Sequence, residues 1–257
     1  MSRPWILVAP SSRGIGAALT RHLLTTTTAP ILATCRSRDT TATKQALLEP
    51  LSSSLPPKTL EDVAPRLKVV RVDVTDEESV REAAEEARGL FPGRTHHLRL
   101  ALAIPGILHP EKSPSQMDVE KDLDMFRVNC VGQMVLMKHF SDFLPRKSVL
   151  FSEDADDVRG LPGQAVWAAM SARVGSTTDN LKGGWYGYRA SKAGVTSLAK
   201  SLDLWLRPRS GERALAVAYH PGTVKTLFSE GFWDTVPEGK LFEAGLRTLK
   251  QKKRNSQ

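Results

Sequence analysis

The sequence predicts an α/β fold: a doubly wound, mostly parallel sheet formed as a single domain by residues 1–257. Short apolar runs alternate with stretches whose apolar residues recur at helical spacing, the pattern of strand–helix–strand units covered on both faces. Gly, Pro, Ser and Thr clusters separate these segments, with no internal repeat and no domain linker, and 257 residues can bury one sizeable core.

Trp5–Ala9 reads as the first strand and runs into a Ser/Arg/Gly turn. Ile15, Ala18, Leu19, His22 and Leu23 then share a helix face, and Thr25–Thr28 ends it, because β-branched residues are poor helix formers. Ile31–Cys35 is the second strand. Residues 37–65, rich in Ser, Thr and Pro, predict a short helix inside a loosely ordered surface insertion. Leu67–Val72 is the third strand, and Thr75 or Asp76 caps the charged helix that runs to about Arg88. Leu98–Ile104 is the fourth strand, and a long helix falls within Asp118–Leu144. For the fifth strand Val149–Phe151 competes with Ala165–Met170; the second is favoured because it leads directly into Ser171. A helix over Tyr186–Leu206 precedes a sixth strand, Leu215–Tyr219. After Thr226 there is no convincing strand, and residues 245–257 are expected to be a disordered basic tail.

The net charge of +8 owes four of its cations, Lys250, Lys252, Lys253 and Arg254, to that tail, and no basic stripe is interleaved with aromatics. Nucleic-acid binding is therefore not expected, whereas positive charge suits a phosphorylated cofactor. No apolar stretch approaches the roughly 18 residues of a membrane span, and the start of the chain lacks the pattern of a secretory signal. Cys35 and Cys130 lie far apart, without metal-ligand spacing, and read as reduced thiols. The expectation is a cytoplasmic protein with no metal and no membrane partner.

Two constellations carry chemistry. The first turn reads Ala9-Pro10-Ser11-Ser12-Arg13-Gly14-Ile15-Gly16. Gly14 and Gly16, around Ile15, let backbone amides at a helix start approach a pyrophosphate, with the Ser11 and Ser12 hydroxyls as further donors. At the end of the second strand, Thr34-Cys35-Arg36-Ser37-Arg38 offers Arg36 and Arg38, with Arg13 nearby and no carboxylate before Asp39. Guanidiniums pair bidentately with phosphate, so the expected cofactor is NADP. The second constellation is Tyr188-Arg189-Ala190-Ser191-Lys192, whose spacing stacks Tyr188 and Lys192 on one helix face. A neighbouring ammonium would lower the phenol from its usual value near 10 and make Tyr188 a usable general acid or base.

In combination these residues resemble the short-chain dehydrogenase/reductase family, and the chain is similar to its C-signal-like and fungal reductase branch. In order along the chain stand Gly14 and Gly16, Asp73-Val74, Asn129, Ser171, Tyr188 with Lys192, Pro221-Gly222, and then Val224 and Thr226. The resemblance covers roughly residues 5–230 and implies a Rossmann-like NADP-binding domain acting on a carbonyl or alcohol of a small molecule. It implies that Tyr188 moves the proton and that Lys192 tunes Tyr188 and binds ribose. Ser171 would hydrogen-bond the carbonyl, and Asn129 would hold a water linked to Lys192. It further implies Asp73 at the adenine, Arg36 at the 2′-phosphate, and Val224 and Thr226 near the nicotinamide.

Departures from the family pattern are Pro10 for the first glycine, Ala103-Ile104-Pro105-Gly106 for the usual Asn-Asn-Ala-Gly, and Ala172 after Ser171, which leaves Ser176 as the alternative serine. The expected sheet also stops short of the family's seventh strand. These departures keep a second reading open, a catalytically weak cofactor-binding regulatory or signalling protein. Substrate loops are expected at Pro105–Gln116, Glu153–Gln164 and Ser229–Glu243. The resemblance implies a homodimer or homotetramer pairing the helices that carry Asn129 and Tyr188, with Met134, Met137, Trp205 and Leu206 as apolar contacts.

Overall fold

Strands β1 (Arg3–Ala9), β2 (Ile31–Cys35), β3 (Leu67–Arg71), β4 (His96–Ala103), β5 (Ala165–Met170) and β6 (Ala214–Tyr219) form one sheet in the order β3-β2-β1-β4-β5-β6. Every neighbouring pair is parallel. The computed structural model from which this is read describes residues 1–152 and 154–244, so the expected tail at 245–257 lies outside the described residues. Connections run outward from β1 to β2 and β3, then return to β4 on its other side. The carboxyl ends of β1 and β4 therefore diverge and open a crevice between their following loops.

Alternation along β1 sorts the core into two layers. Ile6 and Val8 face α1 (Gly14–Thr26), α2 (Thr40–Ser52) and α3 (Pro57–Val63), meeting Ala17, Leu24, Leu47 and Val63. Trp5, Leu7 and Ala9 face the other layer, where α4 (Glu77–Leu90), α6 (Gly132–Phe140) and α8 (Tyr186–Ser210) supply Val80, Phe140 and Val195 among others. Trp5 is fully buried and stacks on Phe91 at 4.6 Å between ring centroids. The sheet is thus packed on both faces, as its apolar strands require.

Most elements fall where the sequence places them, and the fifth strand is Ala165–Met170, with Phe151 making only an isolated bridge to Ser2. Residues 37–65 differ from expectation. They are not a loosely ordered insertion but hold α2 and α3, which bury Leu47, Leu51 and Val63 against the sheet as the crossover between β2 and β3. Pro50 lies inside α2, and the Ser/Thr-rich composition masks a sparse apolar face. Asp39 caps that helix by accepting a hydrogen bond from the amide of Ala42 at 2.8 Å.

The helix expected within Asp118–Leu144 is α5 (Val119–Met125), a π turn (Phe126–Val131) and α6 in succession, with Asn129 buried in the π turn. A short α7 (Ala155–Val158) precedes β5. Beyond β6 the main sheet gains no strand among the described residues. However, β7 (Thr223–Val224) pairs with β8 (Leu241–Phe242), a two-residue strand too short to be read from sequence.

Candidate active site

Loops leaving the carboxyl ends of β1, β4, β5 and β6 surround a cleft of about 920 Å³. Its floor is the turn after β1. Gly14, Ile15 and Gly16 open α1 there, so their amides are among the helix-start donors with no intrahelical acceptor. Gly16 must lack a side chain, because a Cβ at this position would overlap the carbonyl oxygen of Pro10. Arg13 also lines the cleft. Ser11 is buried outside the described lining. Its hydroxyl donates to Val8 O (2.8 Å) and accepts from Thr34 N (2.9 Å), stitching β1 to β2, and Ser12 lies outside the lining.

Arg36, Arg38 and Asp73 lie beyond the cleft, past the ends of β2 and β3, where both arginines are exposed. Partial burial opposes ionisation of Asp73. Hydrogen bonds from the amide and hydroxyl of Thr75 outweigh it, with the charges of Arg36 and Arg71 in support, and hold the carboxyl below the usual carboxylate range. Val74 packs instead against Gly132 of α6.

Tyr188 and Lys192 stand on one face of α8, in the cleft wall, only 6% and 2% exposed. Lys192 Nζ donates to Met170 O at 2.8 Å and lies 5.8 Å from the centroid of the Tyr188 ring. The expected lowering of the phenol by the ammonium does not appear in this arrangement. Burial dominates both groups, pushing Tyr188 up to about 12 and Lys192 down to about 8.

Asn129 braces the wall from behind. Its Oδ1 accepts from Ile107 N (2.7 Å), and its Nδ2 donates to Ile107 O (3.0 Å) and Ser191 Oγ (3.1 Å). The side chain thus ties the loop after β4 to α8, with both ends engaged by protein. Ser171 lies at the cleft, but its hydroxyl donates to Lys192 O (2.9 Å) and pairs with Thr196 Oγ1 (3.0 Å). Its neighbour Ala172 also lines the cleft, while Ser176 is outside the lining and pairs with Thr178. Pro221, Gly222 and Thr226 line the side under β6. Val224 does not; it is buried within β7, paired with Phe242 of β8.

The lining includes residues the sequence does not single out. Trp185 sits at the left-handed φ of 54°, a conformation rarely found in large side chains, directly before α8. Its ring meets Tyr188 edge-on at 6.0 Å and Phe232 at 5.0 Å, and Phe228 lies 6.2 Å from Tyr188. Arg189, between the two motif residues, fixes this approach by donating to Gly184 O, Val174 O and Gly183 O. The Gly183-Gly184-Trp185 triplet was the readable signal for a forced turn. Of the expected substrate loops, those around 105–109 and 229–236 contribute, but residues 154–164 do not; there Gly160 packs against Thr26. Among the described residues the lining contains no Asp or Glu, while Arg13, Arg21, Arg173, Lys192 and Lys225 contribute cations.

Residues 9–248 match the family model adh_short_C2, described as Enoyl-(Acyl carrier protein) reductase. An uncharacterized oxidoreductase of Schizosaccharomyces pombe is 25% identical over 235 residues, 90% of this chain and 79% of that protein. The C-signal of Myxococcus xanthus is 41% identical over 59 residues, 23% of this chain and 34% of that protein. In three dimensions the chain is similar to an NADPH-bound carbonyl reductase from chicken fatty liver (TM-score 0.70, 23% identity, 95% of this chain and 82% of that one). It is similar as well to the carbonyl reductase Sniffer of D. melanogaster (TM-score 0.69, 23% identity, 95% and 87%).

Proposed function

The chain belongs to the short-chain dehydrogenase/reductase family, and from that premise we propose that it is an NADP(H)-dependent oxidoreductase acting on a carbonyl or alcohol of a small organic molecule, with Tyr188 as general acid and base. The observation that carries this reading is the placement of Tyr188 and Lys192 on one wall of the cleft whose floor is the glycine turn of α1.

The residues present fit a dinucleotide. Gly16 leaves a cradle that a Cβ would fill, and the helix-start amides beside it suit a pyrophosphate. Arg13 would accompany them, and Arg36 and Arg38 would hold the additional phosphate, beyond Asp73. Lys192 would bind the ribose hydroxyls, and Pro221, Gly222 and Thr226 would meet the nicotinamide end. When bound, the cofactor supplies the hydride chemistry. Tyr188 delivers the proton to the substrate oxygen in reduction and removes it in oxidation. The ammonium of Lys192 stabilises the tyrosinate left behind, and the apolar wall of Trp185, Phe228 and Phe232 excludes water from the transfer.

The test is NADPH oxidation against a panel of carbonyl compounds. Tyr188→Phe should lower turnover by about 10²–10⁴, with folding and NADPH affinity unchanged. Tyr186→Phe, two residues away on the helix, should matter little. Full activity in Tyr188→Phe would remove the tyrosine from the reaction.

A second reading is favoured by a specific observation. The hydroxyl of Ser171 is engaged by α8, and Ala172 lines the cleft beside it. A substrate carbonyl would then be polarised by Tyr188 alone, which suits a slow catalyst or a cofactor-binding regulatory protein. Tight NADPH binding by calorimetry with no turnover across the panel would support that reading over the first.

A further inference from the structure

Behind the Tyr188 wall, outside the cleft lining, three segments meet: the loop after β4 at Glu111, α5 at Asp122, and the first turn of α8 at Gly187. Glu111 is 5% exposed. Its backbone carbonyl accepts from Trp185 N at 2.6 Å, and the amide of Gly187 donates to its carboxyl. A Cβ on Gly187 would overlap Asp122 Oδ1 and stand 2.6 Å from Met125 Cε, so the α8 backbone rests directly on the aspartate.

Glu111 Oε2 and Asp122 Oδ1 are both buried with no donor from the protein, and the two carboxyls are within hydrogen-bonding reach of each other. No ion pair reaches either carboxyl among the described residues. Lys121 lies with His109 and Asp118 on a small cavity beside Glu111 and pairs with Asp118 at 3.4 Å. Two carboxylates whose unpartnered oxygens are out of solvent cannot both ionise cheaply, and one hydrogen between them satisfies both orphaned oxygens. We infer that Glu111 and Asp122 share one proton, and that this bridged pair is a positioning device that seats the first turn of α8 and thereby Tyr188.

Burial, reinforced by the facing carboxyl of Asp122, raises Glu111 above the usual carboxylate range. Lys112 and His109 on the same loop, and Asp118 and Lys121 at the start of α5, are the neighbouring charged or titratable groups. The sign follows: the bridge is complete in acid, and its contribution is lost as pH rises through the raised value. Deprotonation would set two carboxylates against each other one residue from Tyr188.

The full chain is examined by infrared spectroscopy at about pH 6, where free carboxyls are ionised. The expected result is a protonated-carboxyl stretch that titrates away with alkali. Carbon-13 labelling of glutamate or aspartate carboxyls in the unmodified protein assigns the band to a residue type without any substitution. Glu111→Gln and Asp122→Asn should each abolish the band and flatten the dependence of melting temperature on pH, since an amide donates permanently to the remaining carboxylate. Glu111→Ala should lower kcat about tenfold or more with little change in KM, in the manner of a displaced catalytic group, and Glu111→Gln should restore it. Absence of the band, or its survival in both amide variants, overturns the shared proton. Equal kcat in the alanine and glutamine variants overturns the positioning role. The infrared result does not depend on turnover, so its failure is separable from failure of the reductase reading.

Discussion

With its phenol pushed up to about 12 by burial, Tyr188 is protonated throughout the neutral range and is poised to give a proton, not to take one. Carbonyl reduction should therefore be nearly flat between about pH 6 and 7 and fall above about 8, where Lys192 gives up the proton that makes it an ammonium. Alcohol oxidation, which needs the tyrosinate, should rise about tenfold per pH unit between about pH 6 and 7. Initial rates in both directions against pH would check this, and a flat oxidation limb would show that another base takes the proton. At the other end of the site, Arg36 is one of two guanidiniums, with Arg71, whose charge reaches Asp73. Arg36→Ala should weaken NADPH binding by about ten- to a hundredfold, the worth of a charge-assisted hydrogen bond, while leaving NADH nearly unaffected. Calorimetry with both cofactors decides it; equal losses would place the additional phosphate elsewhere. The places of Tyr188, Lys192 and Gly16 at the cleft were legible because spacing along one element fixes them. The hydroxyl partners of Ser11 and Ser171 were not. Whether a hydroxyl faces a ligand or its own scaffold depends on what stands opposite, here Thr34 and Lys192.

Among the elements, β4 carries an unusual pair. His97 and Arg99 are buried at the amino end of the sheet, and Arg99 Nε donates to His97 Nε2 at 3.1 Å. His97 Nδ1 then pairs with Ser2 Oγ at 2.9 Å, and its ring stacks on Phe151, over which Arg99 also lies. The imidazole is used as a neutral group, and burial with the neighbouring guanidinium lowers it to about 3. The unfolded chain binds a proton near 6.5, so stability is lost as pH falls from there toward 3. The loss should be on the order of 2 kcal/mol by about pH 5. Denaturant unfolding at several pH values should show this slope, and His97→Gln should flatten it. The π turn at Phe126–Val131 is a second element of this kind. It interrupts a helix that periodicity reads as continuous, at the place where Asn129 reaches Ile107 and α8.

For the whole molecule, the face of α5, the π turn and α6 exposes Val119, Leu123, Val131 and Met134, and α8 exposes Leu204 and Trp205. Met134 and Trp205, at 48% and 43% exposure, remain available for an interface. Met137 and Leu206 do not, because both are buried in the core of the single chain. We propose that two chains pair through this surface, since isolated large apolar groups are common on protein surfaces but a row of them on neighbouring helices is not. Sedimentation at micromolar concentration should give a dimer or tetramer, and Trp205→Glu should shift it toward monomer with its melting transition kept. A monomeric parent would refute the pairing.

The sequence by itself determined the order of strands and helices, the parallel sheet they imply, the glycine turn and the Tyr188–Lys192 face, because each of these is written in periodicity or in spacing within one element. The split of the core into two layers follows from the alternation along β1. Only the tertiary structure decided which loops form the cleft, that residues 37–65 are packed helices, and that the Ser171 hydroxyl is engaged by Lys192. It alone brought Glu111, Asp122 and Gly187 together from three separate segments. Contacts between segments distant in sequence leave no local pattern, because each residue's own propensity is satisfied equally well with or without its eventual neighbour.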